Sequence, residues 1–381
     1  MSDAQAKKNA AAQEAAAAPA ADAAAAPQAK IAKKPDSGVL YVGIDLGTSR
    51  SAIAASNGIR ENVQSFVAYP RDVISMKMLK KEKLFGEEAL KHKLSCDFYR
   101  PMEKGQIRYA DRDAKMNAGG PEKVKQAAID LLHHVVSLAK PRSDELVYGV
   151  IGAPAQASIH NKKLLIEAAR GVFDSVMICS EPFAVAYGLD FFEDTLVIDI
   201  GAGTTDLCRM HGSLPEDEDQ ITISDAGDSV DQKLYDAMKE SCKGAAFTIN
   251  MVKEIKQKYA FVGRVGEPVV VTLPVNGRPT QFDITNDVRA ACSSIIKPIV
   301  NSLGQLIGSF DPEFQARLRN NVLVGGGGSQ IIGLEEAIEE ALAELGGGAV
   351  RKVDEPVFAG ANGALKLAHD MPAEFWQQLS E

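Results

Sequence analysis

Two stretches of this sequence share one layout, and a chain that uses a layout twice is constrained to build two similar halves. The first is YVGIDLGTSRSAI, Tyr41 to Ile53; the second is LVIDIGAGTTDL, Leu196 to Leu207. Each has an apolar strand, an aspartate at the strand's end, a glycine turn carrying hydroxyls, and a return strand. The aspartates, Asp45 and Asp199, stand 154 residues apart. That spacing points to two hairpins facing one ligand.

The residue types say which ligand. A polyphosphate offers many acceptor oxygens, and successive backbone N–H groups in a tight turn can cradle it where no Cβ blocks the approach. Gly47 and the run Gly201, Ala202, Gly203 meet that need, and Thr48, Ser49, Thr204 and Thr205 add hydroxyls. A carboxylate beside phosphate is repelled unless a cation lies between. Asp45 and Asp199 therefore imply Mg²⁺, a hard ion that keeps several waters and takes few carboxylates. Either hairpin alone reads equally well as an ordinary turn. A third glycine run, LVGGGGSQI (323–331), tips the balance. It follows a buried strand and is expected to open a helix, whose N–H groups favour an anion or a close-packed nucleotide. No Gly-Lys-Ser/Thr follows, so it is not a Walker loop.

Composition excludes several classes. The chain has 381 residues, 45% hydrophobic and 24% charged, which suits two domains of ordinary globular type. A net charge of −9 argues against a nucleic-acid surface. No stretch approaches about 18 continuous apolar residues, so no direct membrane insertion is expected. Five scattered cysteines without CxxC spacing suit a reducing, cytoplasmic compartment and no cysteine metal site. Residues 1–37, Ala-rich with interspersed prolines and charges, read as a disordered tail that serves as a spacer or a docking arm. His133, His134 and His160 lack partners at ligand spacing and read as core or surface residues. The segment 287–307 reads as one long helix, kinked or broken near Pro298.

With these motifs in place, the sequence resembles the actin, Hsp70 and sugar-kinase ATPase superfamily over residues 40–370. Its five signatures have counterparts in order: IDLGTSRS, IGAPAQASIHNKK (151–163), IDIGAGTTD, LVGGGGSQI and DEPVFAGANGALKLA (354–368). Within the superfamily, FGEEAL (85–90), YRPMEKGQIRY (99–109), SEPFAVAYG (180–188) and VKEIKQKYA (252–260) resemble the prokaryotic actins. The magnetosome-filament branch, MamK, is the nearer likeness and the cell-shape branch, MreB, the next. The resemblance implies an α/β, actin-like (ribonuclease H-like) two-lobed fold with ATP and Mg²⁺ in the cleft. Four subdomains are implied: IA (38–64, 99–192, 348–381), IB (65–98), IIA (193–226, 284–347) and IIB (227–283).

The same resemblance implies roles. Asp45 and Asp199 match the metal-side carboxylates, and Glu181 matches the acid that positions or polarises the attacking water. Gly47, Thr48, Ser49, Arg50, Gly201, Ala202, Gly203, Thr204 and Thr205 match phosphate contacts. Gly227 and Asp228 match the ribose side, with Ala226 where a glycine is usual. Lys256 and the run Gly325, Gly326, Gly327 match the adenosine side. Two residues depart from the pattern. Lys253 stands where an acid is usual, and Asn161 stands seven residues after Pro154, where MreB-like chains often carry a catalytic Glu. An amide orients water but cannot take its proton, so Asn161 implies slow hydrolysis if it faces the γ-phosphate and is a helix-surface residue otherwise. Asp206 and Asp231 read as turn or cap residues.

The implied function is an ATP-dependent cytoskeletal filament that hydrolyses ATP slowly and positions magnetosomes. Its partners are other copies of itself and organelle-associated adaptors. An MreB-like cell-shape filament is the alternative. A small-molecule kinase needs a carboxylate base over a substrate pocket, and an Hsp70-like chaperone needs a further β domain; both are less favoured.

Overall fold

Residues 38–108, 120–264 and 266–380 are described by the structure, a computed structural model; the proposed tail at 1–37 lies outside them. The strands are β1 Val39–Leu46, β2 Arg50–Ala55, β3 Arg60–Gln64, β4 Val67–Pro70, β5 Leu84–Phe85, β6 Cys96–Tyr99, β7 Met102–Glu103, β8 Gln106–Ile107 and β9 Leu146–Ala153. They continue with β10 Ser175–Ser180, β11 Thr195–Ile200, β12 Thr205–Met210, β13 Gln220–Ile223, β14 Val270–Val275, β15 Arg278–Asp283, β16 Val322–Gly325 and β17 Val350–Lys352.

The two hairpins seed two five-stranded sheets of the same topology, ordered β3-β2-β1-β9-β10 and β13-β12-β11-β16-β17. In each, three strands form an antiparallel meander and two more add in parallel. Parallel pairing requires a crossover, supplied here by helices such as Gly120–Leu138 and Ile159–Ala169. The equivalence reaches individual residues. Asp45 pairs with Gly152 on its parallel neighbour, and Asp199 pairs with Gly325 on its own. Each aspartate thus stands at a strand end beside a residue with no side chain to cover it.

Two apolar cores form separately. One gathers Val42, Ile44, Ile53, Leu131 and Ile151 under the first sheet; the other gathers Ile198, Leu207, Leu234, Leu303 and Val324 under the second. Helix Ala359–Asp370 belongs to a third core, with Val150, Val197 and Leu323. Its small residues permit near-contact of backbones: a Cβ on Gly43 would stand 2.1 Å from the Leu365 nitrogen, and one on Gly363 would stand 1.7 Å from the Ala184 carbonyl oxygen. This helix fixes β1 against helix Glu181–Gly188, and so Asp45 relative to Glu181. A smaller sheet, β5-β4-β6, has its own core around Phe66, Leu84 and Cys96.

One local expectation holds and one is corrected. The break expected near Pro298 in the segment 287–307 falls at Ser294–Ile295, between helices Thr285–Ser293 and Ile296–Gly308. A proline cannot donate to the residue four before it and clashes with that carbonyl, so the helix ends there and Pro298 occupies the first turn of the next. The glycine run at 325–328 does not open an α-helix. Gly326 takes a φ of 73°, Gly327–Gln330 make one 3₁₀ turn, and the α-helix begins only at Leu334.

Candidate nucleotide cleft

The tips of the two hairpins meet. A Cβ on Gly203 would stand 2.3 Å from Thr48 Oγ1, and Thr48 Oγ1 itself accepts the Gly105 N–H at 2.7 Å. Behind the tips opens a cavity of about 380 Å³. Asp45, Gly47, Thr48, Ser49 and Arg50 line it from one side, and Asp199, Gly201, Ala202, Gly203 and Thr204 from the other. Glu181, Gly227, Lys256, Gly326 and Gly327 complete the expected set within it. Gly326 has to be glycine twice over: its φ is positive, and a Cβ would stand 2.2 Å from Asp199 Oδ1.

Four expected residues are not in the lining. Thr205 lies on β12, buried, and its hydroxyl donates to the Asp225 carbonyl at 2.8 Å. Gly325 ends β16 and faces Val185 and Val353. Asp228 is engaged at the rim, where Arg100 Nη2 stands 2.6 Å from it. Asn161 is neither in the cleft nor on the helix surface. It is buried in the first turn of helix Ile159–Ala169, where its Oδ1 accepts the Ile107 N–H at 3.3 Å. Ser158 caps that helix through the Asn161 N–H at 3.2 Å, and the capped turn points the amide at β8 rather than at the cavity.

Gln257, which sequence reasoning passed over, lines the cleft, and so do Asp231, read as a turn or cap residue, and Lys253, read as a departure. With the expected Lys256 they face it from helices Gly227–Ser241 and Ile249–Tyr259. Asp231 is no cap; it is buried, 2.7 Å from Lys256 Nζ, which also donates to the Gly227 carbonyl at 2.8 Å. The available signal was helical spacing, since Lys253, Lys256 and Gln257 share one face. Asp206, read as a turn residue, lies on β12 directly across from Asp199 and is buried. Its Oδ1 accepts from the Ala155 N–H at 2.8 Å and the Thr222 hydroxyl at 2.6 Å.

The cleft floor is strongly acidic. Burial, then the charge of Asp206, pushes Asp45 up to about 6. Burial pushes Asp199 and Glu181 well above the usual carboxylate range, with Asp45 the next cause for both. Burial also raises Asp206, against the hydrogen bonds from Thr222, Thr204 and the Ala155 N–H. Among the described residues, the charges that act on Asp45, Glu181 and Asp199 are all carboxylates. A hard divalent cation fits here, since it would relieve the mutual repulsion of Asp45 and Asp199. Among the described residues no group of three or more His, Cys, Asp or Glu side chains is arranged to hold a metal unaided. A cation at this place would draw its remaining ligands from water and from a bound anion.

Comparison with known proteins agrees with this architecture. The profile of the MreB/Mbl protein family matches residues 40–374. The actin-like protein MamK of Paramagnetospirillum magneticum is 38% identical over 343 residues, covering 90% of this chain and 96% of that protein. Among solved structures, a MamK double helical filament superposes with a TM-score of 0.83 at 37% identity, covering 88% of this chain and 100% of that one. A non-polymerising MamK mutant bound to AMPPNP superposes with a TM-score of 0.65 at 36% identity over the same shares. The fold is actin-like, and the chain belongs to the MreB/Mbl family, similar within it to the actin-like MamK proteins.

Proposed function

We propose that this protein binds Mg²⁺-ATP between its two hairpins, assembles with copies of itself into filaments, and hydrolyses the ATP slowly. The observation that carries this reading is the meeting of two equivalent Asp-Gly-hydroxyl hairpins over one cavity, with Asp45 and Asp199 at the same place in two sheets of the same topology. Filament assembly is supported by the likeness to the MamK filament, and nucleotide binding by the likeness to the AMPPNP-bound mutant.

Asp45 and Asp199 would hold the magnesium. When bound, that ion neutralises developing charge on the phosphate oxygens. The chain's own residues do the rest. Gly201, Gly203 and Gly47 let backbone N–H groups approach the phosphates, and Thr48, Ser49 and Thr204 add hydroxyls. Glu181 orients the attacking water and takes its proton, a task helped by a raised pKa. Hydrolysis stays slow because Glu181 is the one carboxylate left for that task. Asp206 is tied by Ala155 and Thr222, and Asn161 is buried outside the cavity.

The cellular role we propose is that of a cytoplasmic filament that positions magnetosomes through adaptor proteins, supported by the 38% identity to MamK. No helix among the described residues is long and apolar enough to cross a membrane. Ultracentrifugation with and without Mg²⁺-ATP tests the biochemical reading. The protein should pellet with the nucleotide, with phosphate released more slowly than polymer forms; equal pelleting in both conditions contradicts it.

A further inference from the structure

The cleft has a basic wall opposite its acidic floor, and most of that wall is already partnered. Arg100 is paired with Asp228 at 2.6 Å, and Lys256 with Asp231 at 2.7 Å. Arg50 is exposed to solvent, and its Nη1 donates to Asn62 Oδ1 at 3.0 Å. Lys253 is different. It projects from helix Ile249–Tyr259 across the cleft, and its Nζ donates to the hydroxyl of Ser49 at the tip of the first hairpin. No carboxylate lies within ion-pair distance of it among the described residues. A half-buried ammonium that lines a cavity and is satisfied only by a neutral hydroxyl is under-compensated, and an anion entering the cavity would complete it.

We propose that Lys253 is a nucleotide-binding residue that recognises the charge of the polyphosphate, exchanging the Ser49 hydroxyl for a phosphate oxygen when the nucleotide enters. This rests on the reading of the cleft as an ATP site. The residue spacing supports it, since Ser49 belongs to the turn proposed to cradle phosphate and places Lys253 Nζ beside that turn. The electrostatics agree. Burial and the neighbouring Arg100 lower Lys253 to about 8, with Lys256 acting in the same direction and Asp228 and Asp231 acting against it. Phe66 supplies an aromatic face 5.9 Å away.

A consequence follows for pH. A bound phosphate favours the ammonium form, so binding takes up a proton wherever the free protein's Lys253 is neutral. ATP affinity should fall as pH rises through about 8, whereas adenosine, which has no phosphate, should show no such fall.

Calorimetric titration of the full chain with ATP and with adenosine, from pH 7 to pH 9, tests this on three proteins. Lys253→Met should weaken ATP binding roughly tenfold to hundredfold at pH 7, the range for a lost charge-assisted hydrogen bond. Its adenosine affinity should be unchanged, which also reports an intact cleft. Lys253→Arg, charged throughout, should keep ATP affinity and lose the fall above pH 8. The proposal is overturned if Lys253→Met binds ATP as the wild type does, if it loses ATP and adenosine equally, or if Lys253→Arg retains the wild-type pH profile. Wild-type protein that binds neither ligand overturns the ATP reading itself.

Discussion

Arg100 reaches over the cleft to Asp228. Its Nη2 stands 2.6 Å from the carboxylate, while its Nε donates to the Thr48 carbonyl at 3.2 Å. One guanidinium thus joins the Gly-Thr-Ser turn of the first hairpin to the helix that follows β13 of the second sheet. Both side chains of the pair are 34% exposed, so the contact is worth about 0.5–1 kcal/mol rather than the value of a buried pair. Arg100→Ala should release a fluorescent ATP analogue about twofold to fivefold faster, with thermal stability nearly unchanged. An unaltered dissociation rate in stopped flow contradicts the role of this contact as a clasp.

Two glycines of the cleft should respond in opposite ways. A Cβ on Gly203 would meet Thr48 Oγ1 at 2.3 Å and the Lys104 backbone at 2.7 Å, whereas one on Gly327 meets nothing within 4 Å. Gly203→Ala should cost about 1–3 kcal/mol by forcing the hairpin tips apart, measured by chemical denaturation. Gly327→Ala should leave stability within about 0.5 kcal/mol of wild type. Equal stability of the two variants would show that the tips do not meet as described.

Asn161→Glu should slow nothing and speed nothing at the chemical step. Asn161 is buried against Ile107 and does not line the cavity. A carboxylate there is taken out of water and disturbs the bond to the Ile107 N–H, at a cost of about 2 kcal/mol or more. Thermal unfolding should fall by several degrees while kcat at saturating ATP holds. A clear rise in kcat would place this residue in the cavity after all.

Asp199→Asn removes one of four crowded carboxylates. Burial and the charge of Asp45 raise Asp199, which means that its ionised form is disfavoured in the folded protein. The ligand-free variant should therefore melt at the same temperature as wild type or higher near pH 7, while losing the added stability that Mg²⁺-ATP confers. Differential scanning fluorimetry with and without Mg²⁺-ATP reads both. A strongly destabilised ligand-free variant argues against the crowding.

The hairpins were legible because their chemistry is local: an aspartate, glycines and hydroxyls within seven residues keep their meaning wherever the sheets lie. The family followed from the order of such motifs. What escaped notice depended on long-range placement. That Asp206 faces Asp199 in register, and lends its charge to Asp45, follows from strand pairing and not from a turn pattern. Asn161 has the spacing of a site residue, yet the cap at Ser158 turns it toward β8. The 3₁₀ turn at the glycine run reflects backbone sterics that periodicity does not register. Lys253 was noticed as a departure, but its reach to Ser49 spans 204 residues of sequence.

The central claim is that both hairpins grip one Mg²⁺-nucleotide, and binding stoichiometry under magnesium control tests it most directly. Titration of the wild type with ATP should give one site that weakens sharply when EDTA removes the metal. Asp45→Asn and Asp199→Asn should each weaken that site, and in EDTA each should bind as well as the wild type or better, because without the ion the carboxylate only repels phosphate. The account is contradicted if either substitution leaves Mg²⁺-ATP affinity unchanged, or if EDTA does.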